Sequence, residues 1–360
     1  MTERKAFKRR VRAQMGRTGQ TYAQAAAQLE AGNPAHRSDA HPASAIVVAL
    51  LNASGMTLDP VAAYGVGGGI GFMYALFRYQ DSPQPLLTLV CQHHPAPWAP
   101  AILERLGVDH TATVGKRELG RLLGEERPLV VPVACGAVPW LTSDPLTERE
   151  ECVVLALPDG EHIRIFDGTG AHARIAPDAL LAAYTATRRR HPILVIDHGA
   201  RLPADLRPAI ASGLRATIAG MSEPVLGNAF DVNFGLRGLR RWAERVTDTG
   251  GDGWAKAFAD PTVWQTRLVQ CIDTEYTAPT AGRPLFARLL RDSGHLDAAD
   301  AFDRSAQRWH EIVTGARRGT LDLVQLAALV TTIADDEQRG ITALRTAMDS
   351  LRDTGAPADS

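Results

Sequence analysis

Cysteine is scarce: Cys91, Cys135, Cys152 and Cys271 are the four in 360 residues, and no two form a CxxC pair. Spaced so far apart, they fit free thiols in a reducing compartment better than a disulfide framework. Charge of one sign is lacking too. Lys and Arg number 39 against 40 Asp and Glu, a net of −1, so no global field favours nucleic acid or an anionic membrane. Nor are aromatic and basic residues interleaved as in a nucleic-acid binder. No apolar run approaches a membrane span, and the basic N-terminus lacks the apolar stretch of a secretory signal. These absences predict a soluble cytoplasmic protein with neither nucleic acid nor membrane as partner.

What is present is enough apolar content, 45%, for one large core or two modest ones, and the length favours two domains. The organising stretch runs from His41 to Tyr74. Pro42 suits a first helical position, where its missing N–H costs nothing. Ala43 to Leu51 is apolar almost all round, the mark of a helix enclosed in a core. Five glycines in seven positions follow (Gly65, Gly67, Gly68, Gly69, Gly71). The N-terminus of an enclosed helix carries unpaired amides and partial positive charge, the setting in which many thiol enzymes place a nucleophile. The glycine run lacks the Lys-Ser/Thr of a P-loop and follows no predicted strand, so it reads as a tight turn permitting close ligand approach.

Along the chain, residues 1–35 read as a basic helical arm, with Phe7, Val11 and Met15 at helical spacing among six Lys and Arg. Its basic cluster is either a solvated face or a contact for RNA, a carrier protein or another acidic partner. Residues 36–200 mix helices with strands at Leu86–Val90, Pro128–Ala134 and Ile193–Ile196. A hairpin of Cys152–Leu157 and His162–Phe166 turns through Pro158-Asp159-Gly160-Glu161. That mixture predicts α+β packing. Residues 201–355 carry helical patterns at 205–221, 235–246, 261–272, 285–291, 296–314 and 321–351, hence an all-α domain, and the last residues, 356–360, form a tail.

Several of these segments together resemble the butirosin-biosynthesis protein H family. They are His41-Pro42-Ala43-Ser44, Gly55, Gly65–Phe72, Val138-Pro139-Trp140, the strand from Cys152, Asp167, Phe234–Gly238, Glu275 to Arg288, Trp309 and Glu337. The resemblance implies a papain-like cysteine-transferase domain followed by a helical domain, and acyl transfer from a carrier-protein thioester to an amine in antibiotic-type biosynthesis. Its mechanism would need a thiolate at the helix N-terminus, a His on the strand and a carboxylate orienting that His. Here Pro42 stands for the thiol and Cys152 for the His; only Asp167 matches.

Three readings of the departure follow. A rearranged dyad would pair Cys152 with His41, the helix dipole and imidazole lowering the thiol pKa. Alternatively, direct aminolysis would rely on positioning and on amides of the helix start and glycine loop as an oxyanion site, with His41 or Asp167 accepting the proton and Ser44 as a further nucleophile. Third, a binding or scaffold protein would keep the fold without chemistry. Under the resemblance, Gly67, Gly68, Gly69, Phe72, Tyr74, Trp140, Glu275 and Arg288 become substrate-binding positions. It implies no cofactor, a phosphopantetheine thioester as substrate arm, a small amine or acyl substrate and an acyl carrier protein as partner; a homodimer stays open. Elsewhere, His93-His94 beside Cys91 has no second ligand pair at zinc spacing, Asp197-His198 reads as a domain-junction contact, and Arg188-Arg189-Arg190 as a favourable charge at a helix C-terminus.

Overall fold

A computed structural model describes residues 8, 12, 40–79, 84–95, 97–138, 151–188, 191–250, 253–275 and 277–353. The N-terminal arm apart from residues 8 and 12, Trp140, Arg189-Arg190 and the tail lie outside these residues. The fold is mixed α+β, a sheet region followed by helices. Its contacts divide it into two compact units, Met1–Leu58 with Gly107–Pro203, and Asp59–Leu106 with Ala204–Ser360.

The first unit begins with α1 (Pro42–Ala53), which ends where Gly55 takes a left-handed φ of 79°. Its buried residues are Ser44, Ile46, Val47, Leu50 and Leu51. The sheet of this unit contains β3 (His110–Thr113), β4 (Leu129–Ala134), β5 (Glu151–Asp159), β6 (His162–Phe166), β7 (His172–Ile175) and β8 (Ile193–Ile196). The order is β3-β8-β4-β5-β6-β7, with every neighbouring pair antiparallel. Strand alternation gives it two buried faces. Val131, Val133, Val154, Ala156, Ile163, Ile165, Ile193 and Val195 form one core with Leu119 and Leu122 of α4 (Lys116–Gly124) and Leu180 and Tyr184 of α5 (Pro177–Thr185). No α1 residue joins that core, yet α1 runs against β4 and β5. It therefore covers the opposite face, where Val130 and Leu155 are buried.

The predicted hairpin is present with a shorter turn. Pro158 and Asp159 pair with Ile163 and His162, so Gly160 (φ 63°) and Glu161 alone make the reversal.

In the second unit, α2 (Pro60–Gly67) leads into β1 (Ile70–Phe77), which pairs with β2 (Leu86–Gln92); α3 (Trp98–Leu106) follows. Then come α6 (Arg207–Ser222), α7 (Gly235–Thr247), α8 (Trp254–Ala257), α9 (Pro261–Asp273), α10 (Arg283–Asp292), α11 (Leu296–Arg318) and α12 (Leu323–Asp353). The division at residue 200 is corrected here: residues 59–106 group with the helices, because β1 packs on α7 and β2 on α9. Phe72, Trp242 and Trp309 stack at ring separations of 5.8–6.1 Å, and Trp254 and Trp264 continue the cluster.

One ion pair lies at the centre of this unit. Arg283 and Glu337 are both fully buried. The five N–H donors of Arg283 meet five acceptor contacts: Nε and Nη2 donate to the Glu337 carboxylate (2.8 and 2.9 Å), Nη1 to the carbonyls of Cys91 and Ala281, and Nη2 to that of Gly71. Glu337 also accepts from Ser305 Oγ (2.8 Å) and Trp309 Nε1 (3.0 Å). Burial works against the guanidinium's charge, but the pairing with Glu337 outweighs it and holds its pKa above the ordinary value. The network joins α10, α11 and α12 to both strands. It also occupies carbonyls of a two-stranded sheet that would otherwise need partners.

Candidate active site

The first turn of α1 holds the first residues that the resemblance singles out. His41 is its N-cap and only 1% exposed; its Nδ1 accepts from the Ser44 amide at 3.2 Å. That contact assigns the ring proton to Nε2. Ser44 Oγ lies 3.1 Å from the His41 carbonyl, to which it donates, and 3.2 Å from His41 Nδ1. Pro42 has no N–H. The Ala45 amide donates to the His41 carbonyl (2.9 Å) and the Ser44 amide to the ring. Among the described residues, only the Ala43 amide is left at the start of α1 without an acceptor.

Asp167 meets this turn through its neighbour. Gly168 has φ 84°, and a Cβ placed there would lie 2.0 Å from the Pro42 carbonyl oxygen. The segment after β6 thus lies flush on the start of α1, which only glycine allows. Asp167 itself is buried, and its Oδ1 accepts from Thr169 N (2.8 Å) and Thr169 Oγ1 (2.7 Å). His41, Ser44 and the Asp167 turn therefore converge in one unit.

Cys152 does not join them. It pairs with Val133 and its side chain packs on the α4–α5 core, with Val154 and Ala156 two and four residues on. That is the face opposite α1, so the expectation that Cys152 faces the helix start is corrected: strand alternation turns its sulfur away. The residue missed by sequence reasoning is Val153. It shares the α1 face with Leu155, is 42% exposed, and falls across from Gly168 when the Leu155–Phe166 register is carried two residues on.

The remaining candidates lie in the second unit and are mostly packing. Gly67 ends α2 with its Cα against Trp98, where a Cβ would come within 2.2 Å of the ring. Gly68 (φ 108°) lies against His93, and Gly69 (φ 58°) against Phe286. The amides of Gly68 and Gly69 donate to the carbonyls of Gly65 and Tyr64 (both 3.0 Å), closing α2. Gly71 is already in β1, where a Cβ would sit 2.3 Å from the Gln92 carbonyl. The ligand-approach turn is therefore corrected to a helix end and strand start in close contact with their neighbours. Phe72 is buried in the tryptophan stack. Buried Tyr74 accepts from Trp254 Nε1 at 3.0 Å.

Glu275 and Arg288 do not form a common wall. Glu275 takes both Nη atoms of Arg267 (2.7 and 2.9 Å), while exposed Arg288 lies 3.6 Å from Asp292. An open groove of about 620 Å³ runs along Thr280, Pro284, Asp303, Gln307, His310 and Glu311 and includes none of the candidate residues. Burial, then Arg105 and His94, depress His93 to about 4, so it is neutral at pH 7. Burial also pushes the Cys91 thiol up to about 12, which makes it a poor nucleophile. No helix among the described residues is long and apolar enough to cross a membrane. No protein-family model matches the chain, and no curated protein matches it.

Proposed function

We propose that this chain is a catalytically silent support or binding protein of specialised-metabolite biosynthesis, cytoplasmic and built on the papain-like frame it resembles. The observation that carries this reading is the first turn of α1. Proline occupies the position the resemblance gives to the nucleophile, the sulfur of Cys152 packs into the α4–α5 core, and the Ser44 hydroxyl donates to the His41 carbonyl.

Direct aminolysis of a thioester fares little better. Positioning can lower such a barrier by about 7–11 kcal/mol, but the tetrahedral oxyanion still needs donors. Each missing donor costs roughly 10²–10³ in rate. Among the described residues the helix start supplies the Ala43 amide alone, and the Gly68 and Gly69 amides are engaged in closing α2. The frame is better suited to holding a partner, such as the carrier protein or the enzyme that performs the transfer.

The test is release of free thiol from acyl-pantetheine and acyl-carrier thioesters in the presence of candidate amines. Release at the buffer rate is expected. Protein-dependent release that saturates with amine overturns the reading and restores an acyltransferase.

A further inference from the structure

The outer face of α7 carries arginine where helix electrostatics disfavour it. Leu236, Leu239, Trp242 and Val246 turn inward, which leaves Arg237, Arg240, Arg241 and Glu244 on the solvent side. Arg237 stands in the first turn, at the positive end of the helix dipole, and no acidic residue accompanies it there. It is also three and four residues from Arg240 and Arg241, the spacing at which like charges repel. Among the described residues none of these three arginines is ion-paired; Arg240 Nη2 donates to the neutral Gln338 Oε1 at 3.3 Å. By contrast, Arg288, Arg308 and Arg317 of α10 and α11 each lie within 3.6 Å of a carboxylate.

Gln338 carries the row onward. The next residue on α12, exposed Arg339, donates to Oδ1 of the buried Asp336. Arg304 of α11 donates to the same oxygen at 3.2 Å, so two guanidinium groups share one anion. Contacts thus link five arginines over three packed helices, α7, α12 and α11. With helix axes about 8–10 Å apart, the row is ~20 Å long. Glu244 and Asp336 are the acids on it. Exposed Glu223 at the end of α6 and exposed Asp335 on α12 make no ion pair with it. In a chain of net charge −1 the row is a local excess of positive charge.

Charge and chemistry select the occupant. A second copy meeting this surface about a two-fold axis would set arginine against arginine. Single-stranded nucleic acid needs aromatic platforms for its bases, and Trp242, Phe302 and Trp309, the aromatic residues of these helices, are buried. Carboxylates spaced a helical turn apart can each take a separate guanidinium fork, which suits a row interrupted by Glu244. We infer that the row from Arg237 to Arg304 docks an acidic helix of a different protein. The inference goes beyond the reading of α1 and holds whether or not that turn is catalytic.

Anisotropy of a labelled, Glu-rich helical peptide of about three turns, titrated with the full chain at low salt, tests it. Binding with Kd below ~100 µM is expected, weakening as salt rises. Arg237→Glu and Arg241→Glu, made singly, should each weaken it by ~10-fold or more. Arg318→Glu, the same charge change at the end of α11, should leave it unchanged. In the free chain Arg237→Glu should raise the urea midpoint, because it puts an acid in the first turn and opposite charges three and four residues on. A midpoint that does not rise makes the row structural and overturns the inference. So does a peptide that stays free up to ~100 µM, or one whose binding survives both variants. A single-stranded oligonucleotide of equal charge that binds more tightly than the peptide overturns it as well.

Discussion

Replacing Glu337 with Gln probes the energetic centre of the second unit. The carboxylate accepts four contacts within 3.0 Å, from Arg283 Nε and Nη2, Ser305 and Trp309, and neither it nor Arg283 touches solvent. The amide keeps the shape but loses the charge, and its NH₂ turns a donor toward donors. An uncompensated guanidinium is then left in the core, which costs about 3–5 kcal/mol. For a unit of roughly 200 residues this lowers Tm by ~6–20 °C, at about 2–4 °C per kcal/mol. Urea titration followed by tryptophan fluorescence reads it directly, since Trp309 is both a reporter and a donor to Glu337. Replacing the pair together, as in Arg283→Met with Glu337→Leu, should cost less than Glu337→Gln alone, because no lone charge remains buried. A loss below ~1 kcal/mol in the single variant would mean that the pair is hydrated, and the reasoning fails.

Further outcomes follow from other parts of the molecule. Gly168→Ala should destabilise the first unit by at least ~2 kcal/mol, since it combines a left-handed φ with a Cβ 2.0 Å from the Pro42 carbonyl; a urea midpoint near wild type would deny that Asp167's turn abuts α1. For His93, depressed to about 4, the folded state prefers the neutral ring. Its contribution is fully present above pH ~6.5 and lost as pH falls toward 4, so stability should decline across that window and the decline should lessen in His93→Phe. Cys91 has the opposite dependence. With its thiol raised to about 12, its contribution holds below pH ~9 and drains away as pH rises toward 12, so a thiol reagent should reach it at pH 8 only after denaturant is added.

How much of this was readable in the chain depends on whether a local period existed. The Cys152–Phe166 hairpin and the six C-terminal helices carry clear periods, the enclosed helix was marked by Pro42 and its unbroken apolar run, and all are present within a few residues of their expected limits. β1 was hidden because Ile70–Tyr74 is buried on both faces, and a continuous apolar run carries no period of two. α2 was hidden by its glycines, whose poor helix propensity is overridden by contacts with Trp98 and Leu289. At the site, His41, Ser44 and Asp167 could be named from order along the chain. Which strand residue faced them could not be, because a shift of one position exchanges Cys152 for Val153 and core for solvent. The Arg283–Glu337 pair joins residues 54 apart, beyond any local pattern.

The claim on which the functional reading rests is that no described side chain at the start of α1 acts as a nucleophile toward a thioester. Intact-mass spectrometry after incubation with an excess of acyl-pantetheine thioester tests it most directly. The account predicts unmodified protein. An acyl adduct that forms in the native state and maps to Ser44 or Cys152 would contradict it.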